Sequence, residues 1–430
     1  MDIQQLYSIF TSHPTVTTDT RSCPPGSIFF ALRGASFNGN AFAHAALDAG
    51  CSYAVVDDAS LTPAPRLIFV DDVLATLQDL AAFHRRQLGT RIVQITGTNG
   101  KTTTKELVAA VLSERHNVLF TEGNFNNHIG VPKTLLRLRA DHDIAVVETG
   151  ANHPGEIAFL SRIVRADCGL ITNVGKAHLE GFGSFEGVIK TKGELYGDLR
   201  SRPDTFIFLD GDNEHLRRIA AGLPAVTYGS EGKGFDVEGS VTACTPFLSL
   251  RWRPKGGDWQ TVATHIVGAY NLTNALAAAA VGTHFGVSAE QISHALAAYQ
   301  PTNNRSQLTH TEKNDLIVDA YNANPTSMRA ALDNFRLISH PHKLAILGEM
   351  RELGACSADE HRSVVDQVLT CGCEDVWLVG DSFKPFADRC RHFSDVDAVI
   401  AALQTNPVEG RLVLIKGSNG TRLFLLPKYL

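Results

Sequence analysis

Hydrophobic positions in the first 88 residues fall into short apolar runs separated by longer amphipathic stretches. Short runs bounded by polar or glycine residues predict strands, whereas the longer stretches predict helices. The predicted strands are residues 27–32, 53–56 and 67–70, and the predicted helices are residues 41–49 and 74–88. This alternation is typical of a small α/β unit, and residues 89–90 mark a linker at its end.

A strand, a glycine loop and a helix follow in succession from Arg91. The later apolar runs of this region are continuous, which indicates strands buried on both faces of a mainly parallel sheet. We interpret the region as a nucleotide-binding core, followed by a β-rich excursion and two helices. Its predicted elements are residues 92–96, 143–148 and 168–174 (strands), 102–114 (helix), 229–266 (β excursion), and 274–285 and 289–299 (helices).

The polar, proline-marked composition of residues 300–304 predicts a second domain boundary. Beyond it strands and helices alternate again, which predicts a second doubly wound unit. Its predicted strands are residues 316–320, 343–347, 376–380 and 412–416. The predicted fold class is α/β with three domains. These are a small N-terminal α/β domain (1–88), a central P-loop-type ATPase domain with a mainly parallel sheet (89–300), and a C-terminal Rossmann-like domain (301–430).

The bulk composition narrows the class of protein. Hydrophobic residues make up 44% and charged residues 20% of the chain, which is typical of a globular protein and excludes a disordered or fibrous one. A formal net charge of −6, with lysine and arginine dispersed, argues against a nucleic-acid partner. The N-terminus lacks a signal-peptide pattern, and no apolar run reaches the roughly 18 residues of a spanning helix. We therefore expect a cytoplasmic protein without membrane insertion.

Residues 96–103, here called the phosphate loop, carry the most specific chemical signal. Glycines let the backbone wrap phosphate oxygens, Lys101 neutralises the β- and γ-phosphates, and a hydroxyl of Thr102 or Thr103 binds magnesium. The loop is shorter than the strict motif, because Ile95 stands where that motif has glycine. An ordinary strand-to-helix turn is the alternative interpretation. The predicted nucleotide contacts are Gly97, Thr98, Asn99, Gly100, Lys101, Thr102 and Thr103.

Two later strands of this core lead to potential metal ligands, Glu148 and His178. Ligands of an open α/β sheet gather at the carboxyl ends of its strands, so both side chains should converge with Lys101 on a magnesium–nucleotide site. Magnesium prefers carboxylates and phosphates, so His178 taken alone would be an ordinary loop histidine. On residue type alone, Lys192 is interpreted as a solvated helix lysine.

Seven motifs occur in a fixed order along the chain. They are residues 18–21, 96–106, 123–132, 148–157, 321–328, 347–354 and 416–418. Together they resemble the Mur ligase family over essentially all of the sequence. The resemblance implies an ATP- and Mg2+-dependent ligase that joins two small-molecule substrates, UDP-N-acetylmuramoyl-tripeptide and D-alanyl-D-alanine. A monomer is expected.

The same resemblance implies a catalytic set and a set of metal ligands. The catalytic residues would be Lys101, Glu148, His178 and Lys192, and the metal ligands would be Thr102, Glu148, His178 and Lys192. Lys192 would be carbamoylated in this family. A carbamate reverses the charge of the lysine and supplies oxygen ligands, so the modification fits a magnesium site.

Further contacts are also implied by the resemblance. Asn271 and Asn274 would border the adenine, whereas Arg305 and Asp319 would approach the phosphates and the ribose. The residues implied for the precursor are Thr20 and Arg21 at the UDP, and Asn126, Asn127 and Asn322 at the muramoyl-peptide. Without the family, the asparagines at 271 and 274 are equally interpreted as cap and turn residues, and those at 126 and 127 as loop caps.

Two alternative functions stay open at this point. The first is a sister ligase that adds a single amino acid to a UDP-muramoyl-peptide or a folate carboxylate. The second is a catalytically silent nucleotide-binding module. The segments 321–325 and 124–132 argue against the first, and the intact catalytic set argues against the second. Because three substrates must meet away from water, we expect the C-terminal domain to close over the central one.

Overall fold

A computed structural model describes residues 1–302, Arg305 and residues 307–430. Over these residues the backbone forms three β-sheets of four, nine and six strands, each accompanied by helices. The predicted α/β fold class is confirmed. The domain boundaries predicted after residues 88 and 300 fall between the sheets and stay predictions. The predicted boundary segment 300–304 includes residues 303 and 304, which lie outside the described residues.

The N-terminal unit is a parallel four-stranded sheet with helices on its faces. Its elements are α1 (Ile3–Ser12), β1 (Val16–Thr17), β2 (Ile28–Phe30), α2 (Ala43–Asp48), β3 (Tyr53–Val56), β4 (Leu67–Phe69) and α3 (Val73–Gln87), with a 3-10 helix at Gly39–Phe42. Helix α1 is not predicted from the sequence. It begins with a capping box, in which Asp2 and Gln5 each accept from the other's backbone amide.

The central unit is built on the nine-stranded sheet, in the order β13-β12-β11-β10-β9-β8-β5-β7-β6. Its strands are β5 (Arg91–Thr96), β6 (Val118–Phe120), β7 (Ile144–Glu148), β8 (Cys168–Ile171), β9 (Phe206–Asp210), β10 (Ala225–Ser230), β11 (Val237–Cys244), β12 (Phe247–Pro254) and β13 (Gln260–Val267). Its helices are α4 (Lys101–Ser113), α5 (Gly130–Leu135), α6 (Glu156–Val164), α7 (Leu179–Phe182), α8 (Phe185–Arg200), α9 (Glu214–Ala220), α10 (Leu272–His284) and α11 (Ala289–Ala298), with a 3-10 helix at Ala269–Asn271.

Strands β5 to β11 of this sheet pair in parallel, whereas β11, β12 and β13 pair antiparallel, as the predicted β excursion requires. Strands β6 and β7 lie on one side of β5, with β7 next to it, and the chain then crosses to the other side to form β8 and β9. This reversal of strand order is the point at which open α/β sheets bind ligands. The carboxyl ends of β5, β7 and β8 therefore define the candidate site.

Buried helices cover both faces of the central sheet. On one face α4 and α10 pack together, and α10 presents a fully buried run of alanines that allows close approach. On the other face a single apolar cluster joins α1 and α3 of the N-terminal unit to α5 and α6 of the central unit. The first two units thus share a core. None of the described helices combines the length and hydropathy that a membrane span needs.

The C-terminal unit is a six-stranded sheet in the order β14-β15-β19-β16-β17-β18, parallel except at β14. Its strands are β14 (Gln307–His310), β15 (Asp315–Asp319), β16 (Lys343–Gly348), β17 (Asp375–Val379), β18 (Arg391–Phe393) and β19 (Leu412–Lys416). Its helices are α12 (Pro325–Leu337), α13 (Ser357–Val368) and α14 (Val396–Thr405), with 3-10 helices at Gly354–Cys356, Asp381–Phe386, Asn419–Thr421 and Leu423–Tyr429.

Candidate active site

The phosphate loop joins β5 to α4 and packs against the neighbouring strand ends. Gly97 has φ +142°, and a Cβ at this residue would collide with Oγ1 of Thr172. Gly100 has φ +76°, and a Cβ there would lie 2.7 Å from Oδ1 of Asn274. Glycine alone tolerates both the positive φ and the close approach, so these two residues fix the path of the loop.

Lys101 begins helix α4, and its side chain bends back over the phosphate loop. Its Nζ donates to the carbonyl oxygens of Gly97 and Thr98, each at 2.9 Å. Burial lowers the pKa of Lys101 to about 8; Glu148 opposes this shift, whereas Arg305 adds to it. The protein alone therefore stabilises the positive charge of Lys101 poorly, and the oxygens of a bound triphosphate would stabilise that charge.

Glu148 ends β7 beside the phosphate loop and is fully buried. Its Oε1 accepts from Nδ2 of Asn126 at 2.7 Å and from the hydroxyl of Thr102 at 3.3 Å. Its Oε2 is buried as well, and no described residue donates a hydrogen bond to it. A buried carboxylate oxygen without a donor, next to a threonine hydroxyl, fits a ligand of Mg2+, which binds few protein groups together with phosphates.

The part of the chain that the structure describes contains no group of three or more His, Cys, Asp and Glu that would bind a metal ion without other ligands. Glu148 and His178 therefore need further oxygen ligands before they can hold Mg2+. The Thr102 hydroxyl and substrate phosphates are such ligands. The residues present fit a magnesium ion that arrives with a nucleotide.

Lys192 lies on α8 and is 2% exposed, so its interpretation as a solvated helix lysine is wrong. Its Nζ donates to the carbonyl of Ala151 at 3.4 Å and lies 5.3 Å from the ring centroid of Phe182. It forms no ion pair with any described residue. Burial, reinforced by the nearby charge of Lys101, lowers the pKa of Lys192 to about 7. A large fraction of this lysine is therefore neutral near pH 7.

One cavity of about 590 Å3 lies at the carboxyl ends of the central strands and extends to the C-terminal unit. Most of the predicted site residues line it, namely Thr98, Asn99, Gly100, Lys101, Thr103, Asn126, Asn127, Glu148, His178, Asn271, Asn274, Arg305, Asp319 and Asn322. Gly97, Thr102 and Lys192 are not on its wall but contact residues that are. The predicted convergence of Lys101, Glu148 and His178 is therefore observed, while the roles of these residues stay predictions.

The end of the cavity predicted for adenine is formed by α10 and the C-terminal unit. Asn274 donates to Oδ1 of Asn271 at 2.7 Å and accepts from the Thr104 hydroxyl at 3.1 Å, so both asparagines also have structural roles. The guanidinium of Arg305 lies 3.9 Å from the ring centroid of Tyr321. The second predicted C-terminal residue, Asp319, forms an ion pair with Lys416, which is 1% exposed.

The residues predicted for the precursor fall in two places. Asn126 is held by Glu148. Oδ1 of Asn127 accepts from the amides of Ile129 and Gly130 at the start of α5, so the loop-cap interpretation holds for Asn127. Both asparagines line the cavity, as does Asn322. Thr20 and Arg21 do not line it. Arg21 is largely exposed and binds Asp19, and this contact lowers the pKa of Asp19 to about 2.

Known proteins share this architecture and sequence. The family model described as the Mur ligase middle domain matches residues 95–282, and the model described as Mur ligase, glutamate ligase domain matches residues 304–419. The UDP-N-acetylmuramoyl-tripeptide–D-alanyl-D-alanine ligases of Bacillus subtilis and Escherichia coli are each 36% identical to this chain over 422 residues. Each alignment covers 95% of this chain and 91% of the relative. The chain belongs to the Mur ligase family.

Solved structures of Mur ligases agree with this assignment. Crystal structure I of MurF from Acinetobacter baumannii has a TM-score of 0.84 and 31% identity, and the match covers 96% of this chain and 92% of that one. MurF from Thermotoga maritima, in complex with ADP, has a TM-score of 0.84 at 24% identity, with 96% of each chain covered, which supports the fold alone. The family resemblance drawn from the seven motifs is confirmed.

In this Mur ligase the C-terminal unit lies directly against the phosphate loop. Asn99 and Asn324 exchange two amide hydrogen bonds, at 2.7 and 3.4 Å. Lys176, which follows β8, forms an ion pair with Glu360 of α13 at 2.8 Å. The sequence did not single out Asn324, Lys176 or Glu360. Asn324 lies within the motif at 321–328, but only the folded structure brings the other two residues together.

Lys105 lies within the motif at residues 96–106, but the motif alone does not explain its position in the structure. It is fully buried on α4, and its Nζ donates to the carbonyls of Thr121 at 2.7 Å and Gly123 at 3.5 Å. These carbonyls begin the loop that carries Asn126. Lys105 therefore ties the phosphate-loop helix to the loop that contacts Glu148.

Lys105→Met is expected to lower the stability of the central unit by about 1–3 kcal/mol, because a buried carbonyl loses its donor. Thermal unfolding followed by circular dichroism measures the change. The matched control is Lys190→Met, which alters an exposed lysine on α8 and should leave the unfolding midpoint unchanged. Equal midpoints for the two variants would contradict the role given to Lys105.

Proposed function

We propose that this Mur ligase joins D-alanyl-D-alanine to UDP-N-acetylmuramoyl-tripeptide at the expense of ATP, a step in peptidoglycan precursor synthesis. The named activity of the Bacillus subtilis and Escherichia coli relatives supports this substrate pair. The observation that carries the proposal is the single cavity in which Lys101, Glu148 and Asn126 meet. It brings a phosphate-binding group, a carboxylate suited to Mg2+ and amides suited to a peptide within reach of each other.

The proposed reaction begins when the terminal carboxylate of the tripeptide attacks the γ-phosphorus of ATP. An acyl phosphate forms and ADP leaves. Lys101 stabilises the charge that develops on the phosphoryl oxygens, and it does so in a buried site where such interactions are strong. The amine of D-alanyl-D-alanine then attacks the acyl carbon, loses a proton and expels inorganic phosphate. An amide bond is left.

Magnesium, when bound, neutralises charge on the β- and γ-phosphate oxygens. Thr102, Glu148, His178 and the carbamate of Lys192 are the proposed protein ligands. The buried Oε2 of Glu148, which has no donor among the described residues, supports this assignment. Asn126 keeps the other carboxylate oxygen in place through its 2.7 Å hydrogen bond.

Carbamoylation of Lys192 is part of the proposal. The neutral amine attacks CO2, a nitrogen–carbon bond forms, and one proton is released to solvent. Burial, which leaves much of the amine neutral near pH 7, favours this reaction. The resulting carbamate carries a negative charge near Lys101, where the unmodified ammonium would oppose a metal ion.

The nucleotide and precursor contacts follow the predicted sets. Asn271, Asn274, Arg305 and Asp319 are proposed for ATP because they line the same cavity as the phosphate loop. Asn126, Asn127 and Asn322 are proposed for the muramoyl-peptide, and Thr20 and Arg21 for the UDP. The proposed active unit is a monomer. It acts in the cytoplasm, where ATP and UDP-linked precursors are available.

Release of inorganic phosphate from ATP tests the substrate assignment. We expect release only when the UDP-linked tripeptide and D-alanyl-D-alanine are both present. Release with the precursor and a single amino acid would favour a sister ligase. A protein that binds nucleotide but releases no phosphate under any combination would be a silent binding module.

A further inference from the structure

Two residues with uncommon backbone conformations face each other across the boundary between the central and C-terminal units. His178 has φ +50° and Glu352 has φ +62°. Non-glycine residues with positive φ are rare, and the described residues include only five of them. Such conformations persist where the surroundings hold them, and they cluster at functional sites. Because His178 and Glu352 both have this uncommon conformation and contact each other, we infer that the surrounding structure holds their contact in place.

The side chains of the two residues are in contact, and a backbone hydrogen bond joins the segments that carry them. Nδ1 of His178 is hydrogen-bonded to the carboxylate of Glu352. The backbone amide of Glu180 donates to the carbonyl of Glu352 at 3.2 Å. His178 also lines the nucleotide cavity. With Nδ1 engaged, Nε2 is the ring nitrogen left for another ligand, and no described residue bonds to it.

Glu352 is held in place by its own unit. It lies in the loop that follows β16. In this loop the backbone amide of Met350 donates to Nε2 of the buried His361 at 3.0 Å. The amide of Arg351 donates to the Ser418 hydroxyl at 3.2 Å. The backbone of the loop that carries Glu352 is thus held by the C-terminal unit, and the Glu352 carboxylate meets His178 only while that unit lies against the phosphate loop.

We propose that Glu352 is a positioning residue that orients His178 for the metal site. Its carboxylate holds the proton on Nδ1, so that Nε2 presents its lone pair to Mg2+. Because the carboxylate comes from the C-terminal unit, the metal site is complete only in the closed arrangement. This inference rests on the proposed function, in which His178 binds magnesium.

The chemistry of metal-bound histidines supports this role. Such histidines donate their second nitrogen to a carboxylate or a carbonyl, which fixes the tautomer and raises the basicity of the ligand. Loss of such a partner lowers metal affinity by about 10- to 100-fold. A carboxylate supplied by a different unit would in addition link metal affinity to the position of that unit.

Mn2+ binding, followed by the loss of the free-ion signal in electron paramagnetic resonance, tests the inference without turnover. It is measured for the full chain alone and with ADP, with ADP in buffer as the blank. Glu352→Gln is expected to weaken Mn2+ binding by about tenfold or more, and Glu352→Ala at least as much. The matched control is Glu360→Gln, which removes a carboxylate from the same interface through the ion pair with Lys176. Because Glu360→Gln weakens only the contact between the units, it should lower Mn2+ affinity by much less than Glu352→Gln does.

A double-mutant cycle with His178→Ala separates the possible outcomes. If Glu352 acts through His178, adding Glu352→Gln to His178→Ala changes the affinity no further. If the Glu352 and Glu360 variants lose affinity equally, Glu352 is merely a closing contact and the inference is overturned. A loss with His178→Ala but none with either Glu352 variant also overturns it. If His178→Ala itself binds Mn2+ normally, the ligand role in the proposed function has failed instead. Unchanged thermal unfolding midpoints verify that the variants are folded.

Discussion

Lys101→Met is expected to lower kcat/KM for ATP by roughly a hundredfold to a thousandfold, the loss seen when a fixed charge-stabilising donor is removed. The ammonium lies at the cavity wall, where among the described residues it donates to two loop carbonyls, and burial lowers its pKa to about 8. Triphosphate oxygens would stabilise that charge, and the stabilisation grows as the phosphoryl group is transferred. Phosphate release under initial-rate conditions measures the effect.

The lowered pKa of Lys101 predicts that nucleotide affinity depends on pH. The charged form, which binds phosphate, is present below the pKa and is lost as pH rises through it. We expect the affinity for a non-hydrolysable ATP analogue to fall as the pH rises above about 8 in the unaltered protein. The methionine variant should bind weakly and show a flat profile. The same pH dependence in both proteins would remove Lys101 from the phosphate site.

Lys192→Ala is expected to reduce turnover by about a hundredfold or more, because the site loses a fixed negative charge. Short carboxylates such as acetate should restore part of the activity by entering the space that the side chain leaves. Lys190→Ala is the matched control, since Lys190 is exposed on the same helix and should be dispensable. Full activity of Lys192→Ala without added carboxylate would contradict the role of the carbamate.

The carbamate itself is open to direct observation. Because burial lowers the pKa of Lys192 to about 7, the neutral amine predominates above that pH and is lost below it. Protein equilibrated with 13C-labelled CO2 at about pH 8 should show a carbamate carbon resonance that Lys192→Ala lacks. Loss of that resonance should accompany loss of activity as the pH falls below about 7.

Much of the fold follows from patterns that are local in sequence. Strands β5, β7 and β8 and helices α4, α10 and α11 were predicted closely, because continuous apolar runs and a glycine loop mark a parallel sheet with little ambiguity. Helices α5, α6, α7 and α9 were not predicted. Strands β1, β6, β9, β14 and β18 were missed, although the equally short β2, β3 and β4 were predicted. Runs of two to five residues do not identify a strand by their period alone. Helix α1 was missed although Asp2 and Gln5 form a capping box. That signal is recognisable in the sequence.

The candidate site was predictable only in part. Lys101, in the phosphate loop after β5, and Glu148, at the end of β7, line the same cavity, as the sequence indicated. Lys192 is buried, although lysine is usually exposed, and only the family resemblance identified it as a site residue. The contact between His178 and Glu352 joins residues 174 positions apart, so no local pattern reveals it. Asn127 shows that a predicted site residue and a loop cap are compatible interpretations.

Transfer of an oxygen atom from the tripeptide carboxylate to phosphate is a direct test of the proposed acyl-phosphate reaction. The UDP-linked tripeptide is labelled with 18O in its terminal carboxylate and incubated with ATP and D-alanyl-D-alanine. Mass spectrometry then follows the phosphate and the peptide product. We expect one 18O atom in the released phosphate, and a product in which the tripeptide and the dipeptide are joined by an amide bond. Unlabelled phosphate, or labelled phosphate without the joined product, would contradict it.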